Sequence, residues 1–311
     1  MTWSFSINRL FRKCQRQWFY KACFASALAN DPLRHEAYLL SKLQTVAGWR
    51  GQVVDATVED VLVPALNRGE RPLLKDMLKA ARTMFDSQLA FGRANRFREP
   101  GLKVSQAGRE FAAFYAVEYG DGLSNDEVDR AWHDVENAFR TLYTMEELKR
   151  LLRDGKYRVA QRALTFDHSG AKVKAVPDLI VFFTDRAPAI VDWKVHAFGV
   201  HDYKDQLITY AIALARTSPH KDFPLNGRRW RETETELFEV QLIRGLVRRH
   251  LVEDADFEAA DDRIAEGITT IGLAANNRDD SELHAEDFTT AYDPRACQTC
   301  SFRKICWTPS L

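Results

Sequence analysis

The chain has 311 residues, of which 45% are hydrophobic and 28% are charged, and its formal net charge is zero. These proportions are ordinary for a globular protein with a sizeable core, and they exclude collagen-like and intrinsically disordered chains. The longest apolar stretch, residues 207–215, is shorter than the roughly 20 residues of a membrane helix, and the N-terminus lacks the apolar core of a signal peptide, so we expect a cytoplasmic protein without a membrane partner.

The charge is unevenly distributed along the chain. Residues 1–50 carry 8 Lys and Arg against 2 Asp and Glu, whereas residues 251–293 carry 2 against 13. This asymmetry predicts one of two arrangements, a basic face that binds a polyanion or two solvated surfaces of opposite sign that attract each other.

Helical periodicity dominates the first half of the chain. Apolar spacing predicts helices over residues 6–30, over 34–66 with a break near Gly48 and Gly51, and from Arg71 to about Arg153. Ser124 is the expected N-cap of one helix in the last range, and Glu127 would complete a capping box.

The pattern changes at Tyr157. Three segments rich in β-branched and aromatic residues, separated by turn residues, predict strands: YRVAQRALTF, KVKAVPDLIVFF and PAIVDWKV. They are followed by a predicted helix (DYKDQLITYAIALAR), two further strands (LFEVQLIRG and LVRRHLV), an acidic helix and a terminal segment with three cysteines. The expected fold is α/β, with a mixed β-sheet core flanked by helices.

We expect a single domain with four parts. These are an N-terminal strap (1–50), a helical region (51–155), the sheet core (156–250), and an acidic helix with a cysteine segment (251–311).

Two aspartates and a lysine form the first candidate site. Asp192 and Lys194 follow an apolar strand and alternate onto one face, and a hairpin through the TDRAP turn places Asp178 opposite Asp192, about 5 Å away at Cβ. Two such carboxylates share a proton or bind a cation, for which oxygen ligands favour Mg²⁺ or Mn²⁺. The lysine could then orient a water or stabilise charge on a phosphate. The alternative is a surface salt-bridge triad of the same three residues.

Two helical faces could contribute to this site. Tyr203, Gln206 and Tyr210 share one face, where they could contact a phosphate or a base, although an ordinary amphipathic helix has the same spacing. Likewise Gly51, Asp55 and Glu59 share a face that either brings another carboxylate to the metal or is a solvated acidic surface.

The cysteines form the second candidate site. Cys297, Cys300 and Cys306 lie in one short segment, which suits an iron–sulfur cluster or zinc. A fourth ligand must come from Cys14 or Cys23, and we favour Cys14 because Cys23 lies in an apolar setting. Such a site would tie the two ends of the chain together. Three reduced cysteines without a metal are the alternative.

Several of these motifs together resemble a known family, the RecB-like branch of the PD-(D/E)XK nucleases. More closely, they resemble the branch with a four-cysteine iron–sulfur cluster, which includes the CRISPR spacer-acquisition nuclease and the AddB nuclease domain. The motifs are SFSINRLFRKCQRQWFY, GQVVDATVE, VPDLIVFF with IVDWK, QLITY, and CQTCSFRKIC. Residues 65–155 contribute nothing to the resemblance.

The resemblance implies a restriction-endonuclease-like fold in which an iron–sulfur strap joins the termini. It implies that Asp178, Asp192 and the backbone carbonyl of Trp193 bind Mg²⁺ or Mn²⁺, and that Lys194 positions or activates the attacking water. It further implies supporting and DNA-contacting roles for Gln206 and Tyr210, and a 4Fe-4S cluster held by four residues: Cys14, Cys297, Cys300 and Cys306.

One position departs from the family pattern. A histidine usually follows the glycine of the first helix by four residues and completes the metal site, whereas this chain has Asp55 there. Aspartate is a competent hard ligand that shifts preference toward Mg²⁺.

Three functions remain as hypotheses. The first is a metal-dependent DNA nuclease, an exonuclease rather than an endonuclease, that hydrolyses single-stranded DNA or duplex ends in DNA repair, CRISPR adaptation or phage defence. The second is a nuclease-inactive iron–sulfur DNA-binding or scaffold subunit of a larger nucleoprotein complex. The third is a zinc-stabilised protein of unrelated function. No GxxxxGKS/T loop is present, so a helicase motor would be a separate partner.

Overall fold

A computed structural model describes residues 1–195, 203–220, 223–224 and 229–306. Asp202, the first residue of one predicted helix, and residues 307–311 of the predicted cysteine segment lie outside the described residues. No helix in the described ranges is both long enough and apolar enough to cross a membrane.

Helices account for most of the first half of the chain, and the second half contains fewer of them. In chain order the α-helices are α1 (Phe5–Lys13), α2 (Gln15–Phe19), α3 (Pro32–Leu40), α4 (Val46–Thr57), α5 (Val63–Asn67), α6 (Leu74–Arg93), α7 (Val104–Ala107), α8 (Tyr115–Tyr119), α9 (Asn125–Thr144), α10 (Glu146–Asp154), α11 (Lys204–Arg216), α12 (Asp254–Ala274), α13 (Arg295–Gln298) and α14 (Arg303–Cys306). Two π-helical turns extend α2 and α4, over Tyr20–Phe24 and Val58–Leu62.

The strands form two sheets. They are β1 (Thr2–Trp3), β2 (Tyr157–Ala160), β3 (Leu164–His168), β4 (Ala171–Ala175), β5 (Leu179–Phe182), β6 (Ala189–Lys194), β7 (Glu236–Gln241) and β8 (Leu246–His250). A small sheet has the order β1-β4-β3, and a larger mixed sheet has the order β2-β5-β6-β7-β8 with a parallel β6–β7 pair at its centre. The predicted α/β class is therefore confirmed, but the strands form two sheets where the sequence predicts one.

Two segments that the sequence predicts as single strands each divide between the sheets. The first turns at Gln161, whose φ of 50° lies in the left-handed region. The second is interrupted at Pro177, which has no N–H to donate to a ladder, so that β4 and β5 belong to different sheets. At both positions, the β-propensity of the residues alone would predict that the strand continues.

The helical half also differs from prediction in two places. The break expected near Gly48 and Gly51 falls at residues 41–45 instead, because Thr45 accepts a hydrogen bond from the Gly48 N–H at 3.2 Å and caps α4. Residues 111–114, expected to be helical, are extended because Ala113 and Tyr115 exchange backbone hydrogen bonds with Gln44. The predicted capping box of Ser124 and Glu127 at α9 is confirmed.

The larger sheet is covered on both faces by apolar side chains. On one face, Ile190 of β6 packs in a core that includes residues of α11, α12 and the N-terminal helices. On the other face, Val191 and Trp193 pack in a second core with α4, α6 and α9. Since successive strand residues point to opposite faces, Asp192 and Lys194 lie on the Ile190 side.

The two ends of the chain pack against each other. Arg16 N–H donates to the Thr289 carbonyl at 3.0 Å, and the rings of Trp18 and Phe288 are 5.3 Å apart. The basic and acidic segments meet here in an exposed ion pair between Arg12 and Glu266 at 3.3 Å. The helical region joins the same assembly, since Tyr119 Oη donates to the Ser301 carbonyl at 2.6 Å.

Candidate active site

The hairpin β5–β6 brings two aspartates together. Its ladder pairs Leu179 with Val191, the register that the sequence predicts, so the next residues in each direction are Asp178 and Asp192. Gln161, at the turn after β2, fixes the first of these by donating from Nε2 to Asp178 Oδ1 at 3.1 Å. Asp192 is only 1% exposed, so these carboxylates do not form the surface triad that was the alternative.

Lys194 neutralises part of this cluster. Its ammonium contacts Asp192 Oδ2 and lies over the ring of Tyr203, 4.4 Å from the centroid. Its side chain is 14% exposed, so the charge is largely removed from water and held at a fixed point. The predicted sharing of one strand face by Asp192 and Lys194 is confirmed.

Trp193, between them, binds two different carboxylates. Its backbone N–H donates to Asp178 Oδ2 at 3.0 Å, and its indole Nε1–H donates to Asp55 Oδ1 at 2.6 Å. Sequence reasoning gave this residue only a backbone carbonyl role and missed the indole. Because β6 and α4 meet through this bond, it fixes the helix relative to the strand.

Helix α4 supplies one wall of a groove around these groups. Gly51, Asp55 and Glu59 all line it, together with both sheet aspartates, so that the shared face that the sequence predicts borders the candidate site. The groove encloses about 610 Å³. Arg109, in the helical region outside the resemblance, lies on the same wall and was not predicted.

Burial and mutual repulsion control the ionisation of the three aspartates. Burial raises the pKa of Asp55 to about 6, opposed by the Trp193 hydrogen bond and assisted by the charge of Asp192. Burial likewise raises the pKa of Asp178, and the charges of Asp192 and Asp55 raise it further. The pKa of Asp192 is raised by burial in spite of Lys194. Burial alone would lower the pKa of Lys194, but the two aspartates on the sheet hold it above its ordinary value.

A second buried acid, Glu239, adjoins the site from β7. It lies in register with Asp192 and is 2% exposed. Its carboxylate accepts from Gln241 at 2.7 Å and lies 3.0 Å from His250 Nε2. An acid within the apolar strand LFEVQ is the only sequence signal for it, and the sequence analysis did not use that signal.

The Gln206 and Tyr210 pair lies on α11, above the same strand. Gln206 Nε2 donates to Tyr210 Oη at 2.5 Å, and burial together with the nearby carboxylates raises the pKa of that phenol. Gln206 lines the groove around the carboxylates and also a second groove of about 1460 Å³ that runs between the N-terminal segment, β4 and the end of α12. Gln206 therefore borders both grooves.

The donor set fits a hard divalent cation. Three carboxylates whose pKa values are raised, chiefly by burial, face one groove, and a cation among them would stabilise their charged forms. In the described ranges, no three His, Cys, Asp or Glu side chains are grouped closely enough to hold a metal ion as they stand. Binding would therefore require the carboxylates to draw together.

Four of the five cysteines line one small cavity between the chain ends: Cys14, Cys297, Cys300 and Cys306. Backbone N–H groups of Gln17 and Phe302 donate to the sulfurs of Cys14 and Cys300, each at 3.4 Å. Burial raises the pKa of Cys300 to about 11. Cys23 lies apart from the cavity, bordering the larger groove.

Comparison with known proteins gives one match to a family model. The model of the PD-(D/E)XK nuclease superfamily matches residues 2–307. A crystal structure of a Eubacterium rectale protein, provisionally assigned as an exonuclease, is 13% identical, with 92% of this chain and 97% of that chain covered and a TM-score of 0.33. Likeness of that degree does not establish a common fold. No curated protein shows a significant match to this sequence.

Proposed function

The chain belongs to the PD-(D/E)XK nuclease superfamily, and from this premise we propose that it is a Mg²⁺- or Mn²⁺-dependent deoxyribonuclease of the RecB-like branch. The observation that carries the proposal is the grouping of Asp178, Asp192 and Lys194 at the edge of one groove, with Asp55 facing them. Oxygen ligands that bind a divalent cation, and a fixed ammonium that stabilises developing negative charge, can together promote hydrolysis of a phosphodiester.

Each residue of the site would have a distinct role in the reaction. Asp55, Asp178, Asp192 and the Trp193 carbonyl would hold the cation, which when bound supplies positive charge to the scissile phosphate and to an attacking water. Lys194, fixed by Asp192 and Tyr203, donates to an oxygen at which negative charge develops or orients the water. Gln206, which is hydrogen-bonded to Tyr210, would contact the DNA strand.

We propose single-stranded DNA or duplex ends as the substrate, with exonuclease rather than endonuclease action. Gln206 borders both the groove of α4 and the larger groove, so a strand that contacts Gln206 could lie along either groove beside the carboxylates. Any helicase or other subunit of a repair, CRISPR-adaptation or defence assembly would act in trans.

The cysteine cavity is proposed as the site of a 4Fe-4S cluster of structural role. Two N–H···S hydrogen bonds at the cavity resemble those that tune cluster sulfurs. A cluster binds its four cysteines through separate iron atoms, so the sulfurs need not converge on one point as they do around zinc.

The test is a cleavage time course on end-labelled single-stranded and linear duplex DNA with protein purified anaerobically. Wild type should cleave with Mg²⁺ or Mn²⁺, and Lys194→Ala should lose at least about 100-fold in rate. Lys149→Ala is the matched control, because Lys149 is an exposed lysine that pairs with Glu146 on α10. The product ladder gives polarity, and equal cleavage by wild type and Lys194→Ala would overturn the assignment.

A second candidate is a nuclease-inactive DNA-binding subunit, favoured by the presence of Asp55 where the family has histidine. It predicts salt-dependent DNA binding without metal-dependent cleavage. Cleavage gained by Asp55→His alone would support this candidate, whereas cleavage by wild type excludes it.

A further inference from the structure

The groove around the aspartates has too few cations for an anionic substrate. Among the described residues that line it, four are acids, Asp55, Glu59, Asp178 and Asp192, and two are bases, Lys194 and Arg109. Lys194 is largely buried and in contact with Asp192. A phosphodiester that enters before the metal is bound therefore meets net repulsion unless Arg109 attracts it.

The main chain at Arg109 is held by a buried polar relay. Its carbonyl accepts from Gln88 Nε2 at 2.8 Å, and Gln88 Oε1 accepts from Trp49 Nε1 at 2.9 Å. Gln88 and Trp49 are both fully buried. A buried glutamine is unfavourable unless both ends of its amide are bonded, and here both are, so the relay fixes the backbone of Arg109 to α4 and α6.

The turn before it depends on glycine. Gly108 has φ 54° and ψ −128°, a conformation that residues with a Cβ rarely adopt. This turn ends α7 and directs the chain back along the groove wall. The position of Arg109 is thus built by the helical region rather than left to a free loop.

The guanidinium keeps donors for another ligand. One nitrogen, Nη2, serves both neighbouring acids, Glu59 Oε2 at 2.7 Å and Asp60 Oδ1 at 2.6 Å. Nε and Nη1 make no hydrogen bond to the described residues. The Arg109 side chain is 50% exposed and its two acids are 36% and 39% exposed, so exchanging these ion pairs for a phosphate costs little.

We propose that Arg109 is a phosphate-binding residue that holds the sugar–phosphate backbone of a nucleic-acid strand in the carboxylate groove, which Gln206 also lines. This inference rests on the proposed nuclease function and extends it to residues 65–155. The acids Glu59 and Asp60 hold the arginine in place until the strand arrives, and the planar fork then binds the phosphate oxygens.

The test measures binding of a fluorescent single-stranded oligonucleotide in EDTA, from 50 to 200 mM salt, so that no cleavage occurs. Loss of one phosphate contact should make the negative slope of log K against log salt shallower by about 0.7, which is a loss of about fivefold in affinity at 0.1 M salt. We expect this of Arg109→Ala. Arg109→Lys should keep the wild-type slope with weaker binding, since the charge remains and the fork is lost. Asp60→Asn should bind more tightly.

The control is Arg140→Ala, because Arg140 is 56% exposed and paired with Glu136 on α9, away from the groove. It should match wild type in slope and affinity. If Arg109→Ala also matches wild type while wild-type protein binds and cleaves DNA, the inference is overturned and the proposed function stands. If wild type neither binds nor cleaves DNA, both are overturned.

Discussion

The indole Nε1 of Trp193 donates to Oδ1 of Asp55 across 2.6 Å and so joins the central strand of the larger sheet to helix α4. The bond favours the charged form of this carboxylate and so opposes the rise in its pKa that burial causes. As a proposed metal ligand, Asp55 would depend on this partner to orient it.

Replacing this donor should weaken the proposed metal site without removing any of its proposed ligands. In Trp193→Phe the aromatic bulk remains and the N–H is lost, so the half-saturating Mg²⁺ or Mn²⁺ concentration for cleavage should rise by about 10- to 100-fold. Titration of activity with each metal measures it. Trp132→Phe is the control, since Trp132 lies on α9 against Phe85. An unchanged metal requirement in Trp193→Phe would show that the bond does not support the site.

The ionisation of Asp55 should make the metal-free protein less stable as the pH rises. The folded-state pKa of about 6 lies above the ordinary value of 3.8, so the folded state binds more protons across this window, and the stabilisation present below pH about 4 is lost as the pH rises through 6. Asp55→Asn cannot titrate. Between pH 4.5 and pH 7, the free energy of unfolding of Asp55→Asn, measured by urea titration at each pH, should therefore decrease by about 1–2 kcal/mol less than that of wild type. Identical pH dependence of the two proteins would contradict the raised pKa.

Replacing a cysteine of the cavity should remove the proposed cluster, whereas replacing Cys23 should not. Cys297→Ser removes a cavity thiol, whereas Cys23→Ser alters the cysteine that lies elsewhere. Anaerobically purified wild type and Cys23→Ser should be brown, with broad absorption near about 400 nm and matching iron and sulfide content. Cys297→Ser should lose both. Colourless wild-type protein with stoichiometric zinc would reject the cluster.

The sequence predicted the hairpin that carries the aspartates more accurately than the strands around it. Alternation and the TDRAP turn suffice for the Leu179–Val191 register because both are local. The interruption at Pro177 was missed although proline has no N–H to donate to a ladder, because the β-propensity of the residues around it continues. The turn at Gln161 was missed because it depends on β2 and β3 joining different sheets, which the local pattern does not contain. For the same reason, the Trp193 indole bond and the placing of Arg109 depend on contacts between residues 138 and 50 positions apart, respectively.

Two helical glycines should respond in opposite directions to the same substitution. A Cβ at Gly92 of α6 would lie 2.2 Å from the ring of Phe114, whereas nothing lies within 4 Å of a Cβ at Gly51 of α4. Alanine favours a helix over glycine by about 1 kcal/mol, but overpacking costs about 1–3 kcal/mol. The urea midpoint should therefore fall in Gly92→Ala and rise in Gly51→Ala.

The Gly92 substitution should also affect function through the packing that the ring makes. Phe114 lies against Trp49, with centroids 4.9 Å apart, and Trp49 anchors the Gln88 relay to Arg109. If displacement of Phe114 shifts that relay, Gly92→Ala should weaken binding of single-stranded DNA at temperatures where the protein is still folded. Binding equal to wild type at such temperatures would show that the relay tolerates the shift. A lower urea midpoint in Gly51→Ala as well as in Gly92→Ala would show that the packing at Gly92 does not distinguish the two glycines.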